Sequence, residues 1–345
     1  MLRRVLRWAL RALAVATALV AVAATLGYCA NTPTEAVPAT VIDDPSLPRF
    51  ELEEVTLHGE ARGDEGAPVA VVLHGGPGAD YRALLPLEAL TDRYRVVFYD
   101  QRGAGLSERV TRDEVSMEHH YADLTAIIDR FVGPDGQVRI VGHSWGAMLG
   151  IAYAVRHPDR VSHLVLAEPG FLTDEAGESL MESTNRMTPP LTMATLRAVW
   201  DAWFASFHVR GPDDSAGRDY MMWRLMTSDI PGHPIAGYWC NEDAGTGHMP
   251  MWRFGADASQ WLIGRSTADD GTIDVDFLDP PPFPGPILVL TGSCNRLLGT
   301  AYQRTHHLPH LPGAELVEVE GAGHTMIGER SEASLAAIRA FLDRR

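Results

Sequence analysis

The chain has 345 residues, 46% of them hydrophobic and 21% charged, which is enough apolar material for a sizeable core. Its net charge of −16 excludes a nucleic-acid partner, since a phosphate backbone requires an excess of Lys and Arg on one face. The three cysteines (Cys29, Cys240 and Cys294) form neither a disulfide framework nor a zinc pattern, and no other ligands cluster, so neither a metal nor another cofactor is expected.

The N-terminus is a separate object. Arg3, Arg4, Arg7 and Arg11 precede a run without charge from Ala12 to Ala30. A basic stretch before such a run marks a secretory signal or a short membrane anchor with its N-terminus inside. A lipoprotein site at Cys29 fits less well, because the bulky Tyr28 precedes it. A buried core helix is disfavoured because the run is apolar all round. The expected location is outside the cytoplasm, in the cell envelope or secreted, with the membrane touched through residues 1–30 only. Residues 31–48 are polar and proline-containing and read as a tether.

Four apolar, β-branched runs follow, at 68–76, 94–100, 137–144 and 161–170, separated by helical patterns such as 121–132 and 146–157. Such alternation predicts a mostly parallel sheet covered on both faces. After Gly170 the alternation stops, and it resumes with strand-like runs at 286–292 and 314–321 and a last helix at 331–344, for which Ser331 is the expected N-cap. The core is therefore expected at 49–170 and 281–345, with a helical cap at 171–280. That cap holds Trp200, Trp203, Trp223, Trp239, Trp252 and Trp261. Most such aromatics build the cap's own core; a few, Trp239 among them, are candidates for lining a substrate pocket beneath it. His119 and His120 are adjacent and expected at the surface. A Cys240–Cys294 bridge is permitted outside the cytoplasm, and two free thiols are an equal alternative.

Three motifs carry chemistry. Gly142-His143-Ser144-Trp145-Gly146 follows a strand and opens a helix, the setting of a nucleophile elbow with Ser144 at its tip. His74-Gly75-Gly76-Pro77-Gly78 follows the first apolar run. Its backbone N–H groups, with that of Trp145, suit an oxyanion hole made by Gly76 and Trp145, where one donor is worth ~3 kcal/mol. His324 follows the last strand-like run, where a histidine can reach the nucleophile as general base. The bland alternatives are a surface turn serine, a plain glycine turn and a structural histidine.

In their order and spacing the stretches 74–78, 100–107 and 142–146 resemble the α/β-hydrolase fold and, within it, the proline iminopeptidase group of serine hydrolases. The resemblance spans about 53–170 and 286–344 and is weak across the cap. It implies a mostly parallel sheet with a helical cap after the sixth strand, and a serine hydrolase cleaving an amide or ester of a short peptide or small molecule. It further implies that Asp100, Gln101 and Arg102 brace the oxyanion loop. Two departures stand out. The family's triad acid follows the seventh strand, where this chain has Asn295. Glu168, ending the sixth strand, occupies an alternative place for that acid. Glu168 as third triad member, a Ser–His–Asn arrangement through Asn295, and a merely structural Glu168 all stay open. The family's cap acids, which hold a free amino terminus, have Ala236 at the matching place, with Glu242 and Asp243 just beyond as substitutes or as solvated loop charges. An esterase with a lipid-like acyl substrate therefore stands beside the aminopeptidase. A cofactor-free haloperoxidase or C–C hydrolase and a degenerate hydrolase-fold binding module are the remaining alternatives.

Overall fold

The computed structural model describes residues 2–187, 192–228, 235–240, 249–268, 273, 275, 277–279 and 282–344. The six apolar runs form strands β3 (Val69–Leu73), β4 (Arg95–Tyr99), β5 (Val138–His143), β6 (Val161–Ala167), β7 (Ile287–Gly292) and β8 (Glu315–Val319), preceded by β1 (Arg49–Glu51) and β2 (Thr56–Arg62). Their order in one sheet is β1-β2-β4-β3-β5-β6-β7-β8. From β4 to β8 neighbouring strands run parallel, while β2 pairs antiparallel with both β4 and β1. This is the fold class expected from the resemblance.

The β3 sequence shows why the sheet must be covered twice. All of Val-Ala-Val-Val-Leu is buried: Val69, Val71 and Leu73 point into one core, Ala70 and Val72 into the other. Helices α2 (Met117–Val132) and α3 (Trp145–Arg156) fill the first face, and the 3₁₀ segment Tyr81–Asp92 with a C-terminal helix fills the second. The start of α2 is fixed by the Ser116 side chain, which accepts from the His119 N–H, and its end by Gly133 at φ 72°.

Between β6 and β7 the chain leaves the sheet and forms α4 (Asp174–Met187), α5 (Met193–Ser206), α6 (Ala216–Met226) and α7 (Ala256–Arg265). A buried charge cluster fastens this cap. Asp219 on α6 accepts from Arg109 of the core at 2.9 Å and from Arg253 at 2.8 Å, and Arg253 also holds Asp213 at 2.7 Å. After β7 come the short α8 (Thr300–Tyr302), then β8, α9 (Met326–Glu329) and α10 (Ser331–Leu342). Ser331 is not an N-cap: it is the first residue of α10, and its hydroxyl donates to the Gly328 carbonyl instead of accepting a helix N–H.

Helix α1 (Leu2–Ala30) is exposed along almost its whole length and meets the body only near its end. There Ala24 is half-buried and Gly27 buried, and a Cβ on Gly27 would lie 2.7 Å from both Trp200 Nε1 and the Phe204 ring. Residues 31–48 are not a free tether. Thr40 and Val41 are buried, the Val41 N–H donates to Leu106 O at 2.8 Å, and Arg253 donates to Pro38 O at 3.0 Å. A polar composition made the segment look detached, but its backbone groups are satisfied by the cap and the core. His120 also departs from expectation: it is buried, with Nδ1 2.7 Å from Ser116 O, because the two neighbouring histidines point apart and one of them points inward.

Candidate active site

Ser144 sits where β5 turns into α3, at φ 53° and ψ −119°, a backbone region that side chains with a Cβ rarely adopt. The flanking glycines permit the turn. A Cβ on Gly142 would come within 2.6 Å of Ala147 Cα, and one on Gly146 would come within 2.6 Å of His74 O. The elbow and the glycine loop therefore touch backbone to backbone. As the first residue of α3, Trp145 has an N–H without an intrahelical acceptor.

Gln101 ties these two loops together. Its Nε2 donates to His74 O at 2.9 Å, its N–H donates to His74 Nε2 at 2.9 Å, and its Oε1 accepts from Trp145 Nε1 at 2.9 Å. His74 must then carry its proton on Nδ1, which donates to Gly75 O at 2.9 Å. Arg102 forms a bidentate pair with Asp123 at 2.7 and 2.6 Å, and Asp100 accepts from the Tyr81 and Leu106 N–H groups at 3.0 and 2.8 Å. The bracing implied for Asp100, Gln101 and Arg102 thus falls directly on Gln101.

Glu168 follows β6 at φ 44° and is fully buried. Its Oε1 accepts from the Gly292 N–H at 2.8 Å; its Oε2 lies 2.7 Å from His324 Nδ1 and 2.5 Å from Asn295 Nδ2. The Asn295 amide is oriented by its other end, because Oδ1 accepts from the Leu297 and Leu298 N–H groups at 2.9 Å each. Its Nδ2 is a donor and stands 3.4 Å from His324 Nδ1, so it serves the carboxylate and offers nothing to an Nδ1–H. Of the two residues, only Glu168 accepts from the imidazole.

Burial holds the His324 imidazole below its ordinary value, toward 4, and pushes the Glu168 carboxyl up against the lowering influence of the Gly292 and Asn295 donors. The short Nδ1–Oε2 contact opposes both shifts, since each charged partner stabilises the other. The resting form that satisfies every donor is a neutral imidazole with its proton on Nδ1, leaving Nε2 free to accept a proton. The His324 loop is held by Glu329, which accepts from the Gly323 N–H at 2.8 Å and the Thr325 hydroxyl at 2.7 Å.

Tyr238 was not singled out from the sequence. It stacks on His324 with ring centroids 4.3 Å apart, and the His324 N–H donates to its carbonyl at 2.8 Å. Cys240 and Cys294 form a disulfide, which joins the segment carrying Tyr238 to the loop carrying Asn295. Trp239 is buried and lines neither cavity at the serine; Tyr238 lines both. Glu242 and Asp243 lie outside the described residues.

Two cavities meet at Ser144. One, about 140 Å³, also reaches His324, Gly76, Tyr238 and Asp80. The other, about 340 Å³, touches Ser144, Gly76 and Trp145 but not His324, and its wall includes Met148, Phe171, Leu180, Met181, Leu262 and Ile263. Among the described residues that line the larger cavity, none carries a charge. Among the described residues no group of three or more His, Cys, Asp or Glu side chains is arranged to hold a metal.

Residues 68–207 match the α/β-hydrolase fold family. The chain is 31% identical to a "probable proline iminopeptidase" of Streptomyces coelicolor over 81% of its own length and 90% of that relative's. It is 33% identical to a proline iminopeptidase of Pestalotiopsis fici over 42% of its own length, and spans about half, 51%, of that relative. The crystal structure of a bacterial membrane phospholipase A is similar in fold, with a TM-score of 0.57 at 23% identity, over 99% of this chain and 98% of that one.

Proposed function

The chain belongs to the α/β-hydrolase fold family and resembles its proline iminopeptidases, and from that premise we propose that it is a serine hydrolase cleaving carboxylic esters of apolar acyl groups through an acyl-enzyme. In this reading Ser144 Oγ attacks the carbonyl carbon while His324 Nε2 takes its proton. The N–H groups of Gly76 and Trp145 receive the oxyanion, at the start of α3 where the helix dipole also favours negative charge. Glu168 keeps the Nδ1 tautomer and stabilises the imidazolium as it forms. His324 then returns the proton to the departing alcohol, and a water activated by the same imidazole releases the acid.

The direction of the two cavities supports an assignment of substrate halves. A leaving group must meet His324 to be protonated, so it belongs in the smaller cavity that His324 lines. The acyl group then occupies the larger one, and the apolar character of its wall, uncharged among the described residues, carries the ester reading. A peptide's free amino terminus would need a carboxylate on that side. The aminopeptidase reading is favoured by the likeness to the Streptomyces coelicolor relative and would place the missing acid at Glu242 or Asp243. The test is a panel of aryl esters from acetyl to dodecanoyl beside prolyl anilides. Turnover that rises with acyl length is expected; prolyl-anilide turnover without ester turnover would sink the ester reading. A fluorophosphonate probe should label the wild type and not Ser144→Ala.

We further read α1 as a membrane anchor. Within Arg4–Ala30 an 18-residue window reaches a mean hydropathy of 2.0, and the helix is exposed except near its end, at Ala24 and Gly27. At ~1.5 Å per residue its uncharged run, the 19 residues Ala12–Ala30, is ~28 Å long, close to the ~30 Å thickness of a hydrocarbon core. Alkaline extraction of membranes from an expressing cell tests this: an anchored chain stays in the pellet.

A further inference from the structure

Outside α1, the described chain exposes large apolar side chains at Ile42 and, beyond it, only on the cap. Six of them fall on α5 and its C-cap: Met193, Leu196, Val199, Trp200, Trp203 and Phe207. At 100° per residue these positions share one face about 120° wide, and the charged Arg197 and Asp201 lie to one side of it. Ala202 and Ala205 lie on the buried side, while Phe204 is buried at the edge of the stripe, where the end of α1 abuts it, so the exposed stripe is surplus to the cap's own packing. Met193 is 80% exposed and Trp203 46%, whereas a soluble surface rarely gathers such residues in one patch.

The stripe has a fixed relation to the anchor. Gly27, in the last turns of α1, abuts Trp200 and Phe204 so closely that no larger residue fits, and the Tyr28 ring lies 4.0 Å from that of His208 just after α5. The helix that would leave the bilayer therefore ends on α5. Whatever depth the end of α1 takes, α5 takes nearly the same depth, at the water–lipid boundary. Trp and Phe on an amphipathic helix with charges at its edge are the composition that this boundary selects.

We infer that α5 is a second membrane contact, lying in the interfacial layer of the bilayer with its Met193–Trp203 stripe toward the acyl chains. The inference rests on the anchor reading of α1 and gives the cap a defined partner, a lipid surface. It also sets the source of the substrate. Met181 and Ile263, which line the larger cavity at Ser144, are themselves 43% and 55% exposed on the same cap. An acyl ester drawn from the membrane would meet an apolar wall from the surface inward.

The test uses the full chain with Cys29→Ser, reconstituted in phosphatidylcholine–phosphatidylglycerol vesicles. Single cysteines replace Trp203, Met193, Val15 or Glu88 and carry an environment-sensitive fluorophore. Shallow nitroxide lipids should remove most of the emission at 203 and 193, deep ones that at 15, and neither that at 88. If 15 is quenched while 203 and 193 behave like 88, the interfacial helix is refuted and the anchor stands. If 15 is also unquenched, the anchor reading falls with it. Energy transfer between copies at 203 without lipid quenching would assign the stripe to a second copy and overturn the proposal. In a companion assay, Trp200→Ser/Trp203→Ser should lose at least about tenfold of its rate on a vesicle-borne long-chain ester and keep its rate on a soluble acetyl ester. Equal loss on both would count against the proposal.

Discussion

Within the sheet Val71, Val72, Val97, Ile140, Val141, Val165 and Val289 are fully shielded from water, whereas on the cap Met193, Leu196, Val199, Trp200 and Trp203 stand in it. Both regions are rich in apolar residues, but they use them differently. The core closes on itself, two layers of side chains against two layers of helix. The cap is fastened by the Arg109, Asp213, Asp219 and Arg253 charge cluster and by one disulfide, and keeps apolar surface in reserve. The proposed chemistry follows the same division. Ser144, His324, Glu168 and the glycine loop are held by strands β3, β5, β6, β7 and β8, while the wall proposed to receive a substrate is largely cap.

The largest effects should therefore come from the core. Ser144→Ala is expected to lower turnover by on the order of 10⁴-fold or more without unfolding the protein, measured by ester hydrolysis beside a thermal melt. Glu168→Gln keeps the shape but offers an amide where His324 Nδ1 now meets a carboxylate; a loss of on the order of 10²–10⁴ in kcat is expected, with KM little changed. Intact turnover in that variant would remove Glu168 from the mechanism. On the cap side, Cys240→Ser/Cys294→Ser opens a loop of 54 residues in sequence separation. Chain-entropy reasoning sets the stability lost at up to ~4 kcal/mol. The consequence sought is local: limited proteolysis should cut the cap before the core, and KM should rise more than kcat falls. Uniform digestion of both regions would erase the proposed distinction.

Acid should probe the core again, with a smaller effect per group. Burial pushes His120 down to about 4, and His143 and His307 down to about 3, from an ordinary 6.5. Between 6.5 and those values the unfolded chain binds more protons than the native one, so stability rises with pH across the window and is lost as pH falls through it. Each group contributes ~1.4 kcal/mol per pH unit at most. Melting temperature should drop steadily below pH 6.5, and His120→Gln should make the drop shallower. A flat profile would mean that these rings are reached by water. The low value of His324 also predicts that the acid limb of kcat/KM lies below 6.5.

How much of this was legible in the sequence follows the same line between the regions. Unbroken apolar runs located β3 through β8 within a few residues, because a strand buried on both faces has no polar alternation to blur it. The elbow and glycine loop were legible because close backbone contacts demand glycine at Gly142 and Gly146. Strands β1 and β2 went unread: Arg49–Glu51 is the sheet's edge strand, and it pairs with Thr56–Arg62 only over Thr56, Leu57 and His58, so polar residues are tolerated in both. Tyr238 was missed since its position over His324 is set by long-range packing and by the Cys240–Cys294 bridge, neither of which leaves a local pattern. The stripe on α5 was written in the spacing of Met193, Leu196, Trp200 and Trp203. Periodicity alone does not say whether an apolar face points inward or outward.

The finest distinction concerns the acid's place. Glu168 and Asn295 approach His324 from the ends of adjacent strands β6 and β7, and Nδ2 of Asn295 and Nδ1 of His324 lie 2.5 and 2.7 Å from the same oxygen, Glu168 Oε2. Asn295→Asp alone would set two carboxylates together in a buried site, raising one of their pKa values and gaining nothing for the imidazole. In Glu168→Gln/Asn295→Asp the charge moves to the neighbouring strand, and the new carboxylate keeps the Leu297 and Leu298 N–H donors that now orient the asparagine. If the acid's task is to accept from Nδ1 and stabilise the imidazolium, its origin matters less than its reach. The double variant should then regain about tenfold of the kcat lost in Glu168→Gln, a recovery worth ~1.4 kcal/mol. No recovery would mean that the positive-φ turn at Glu168 supplies geometry that the β7 loop does not, and the acid's place would then be fixed by the strand and not by the charge.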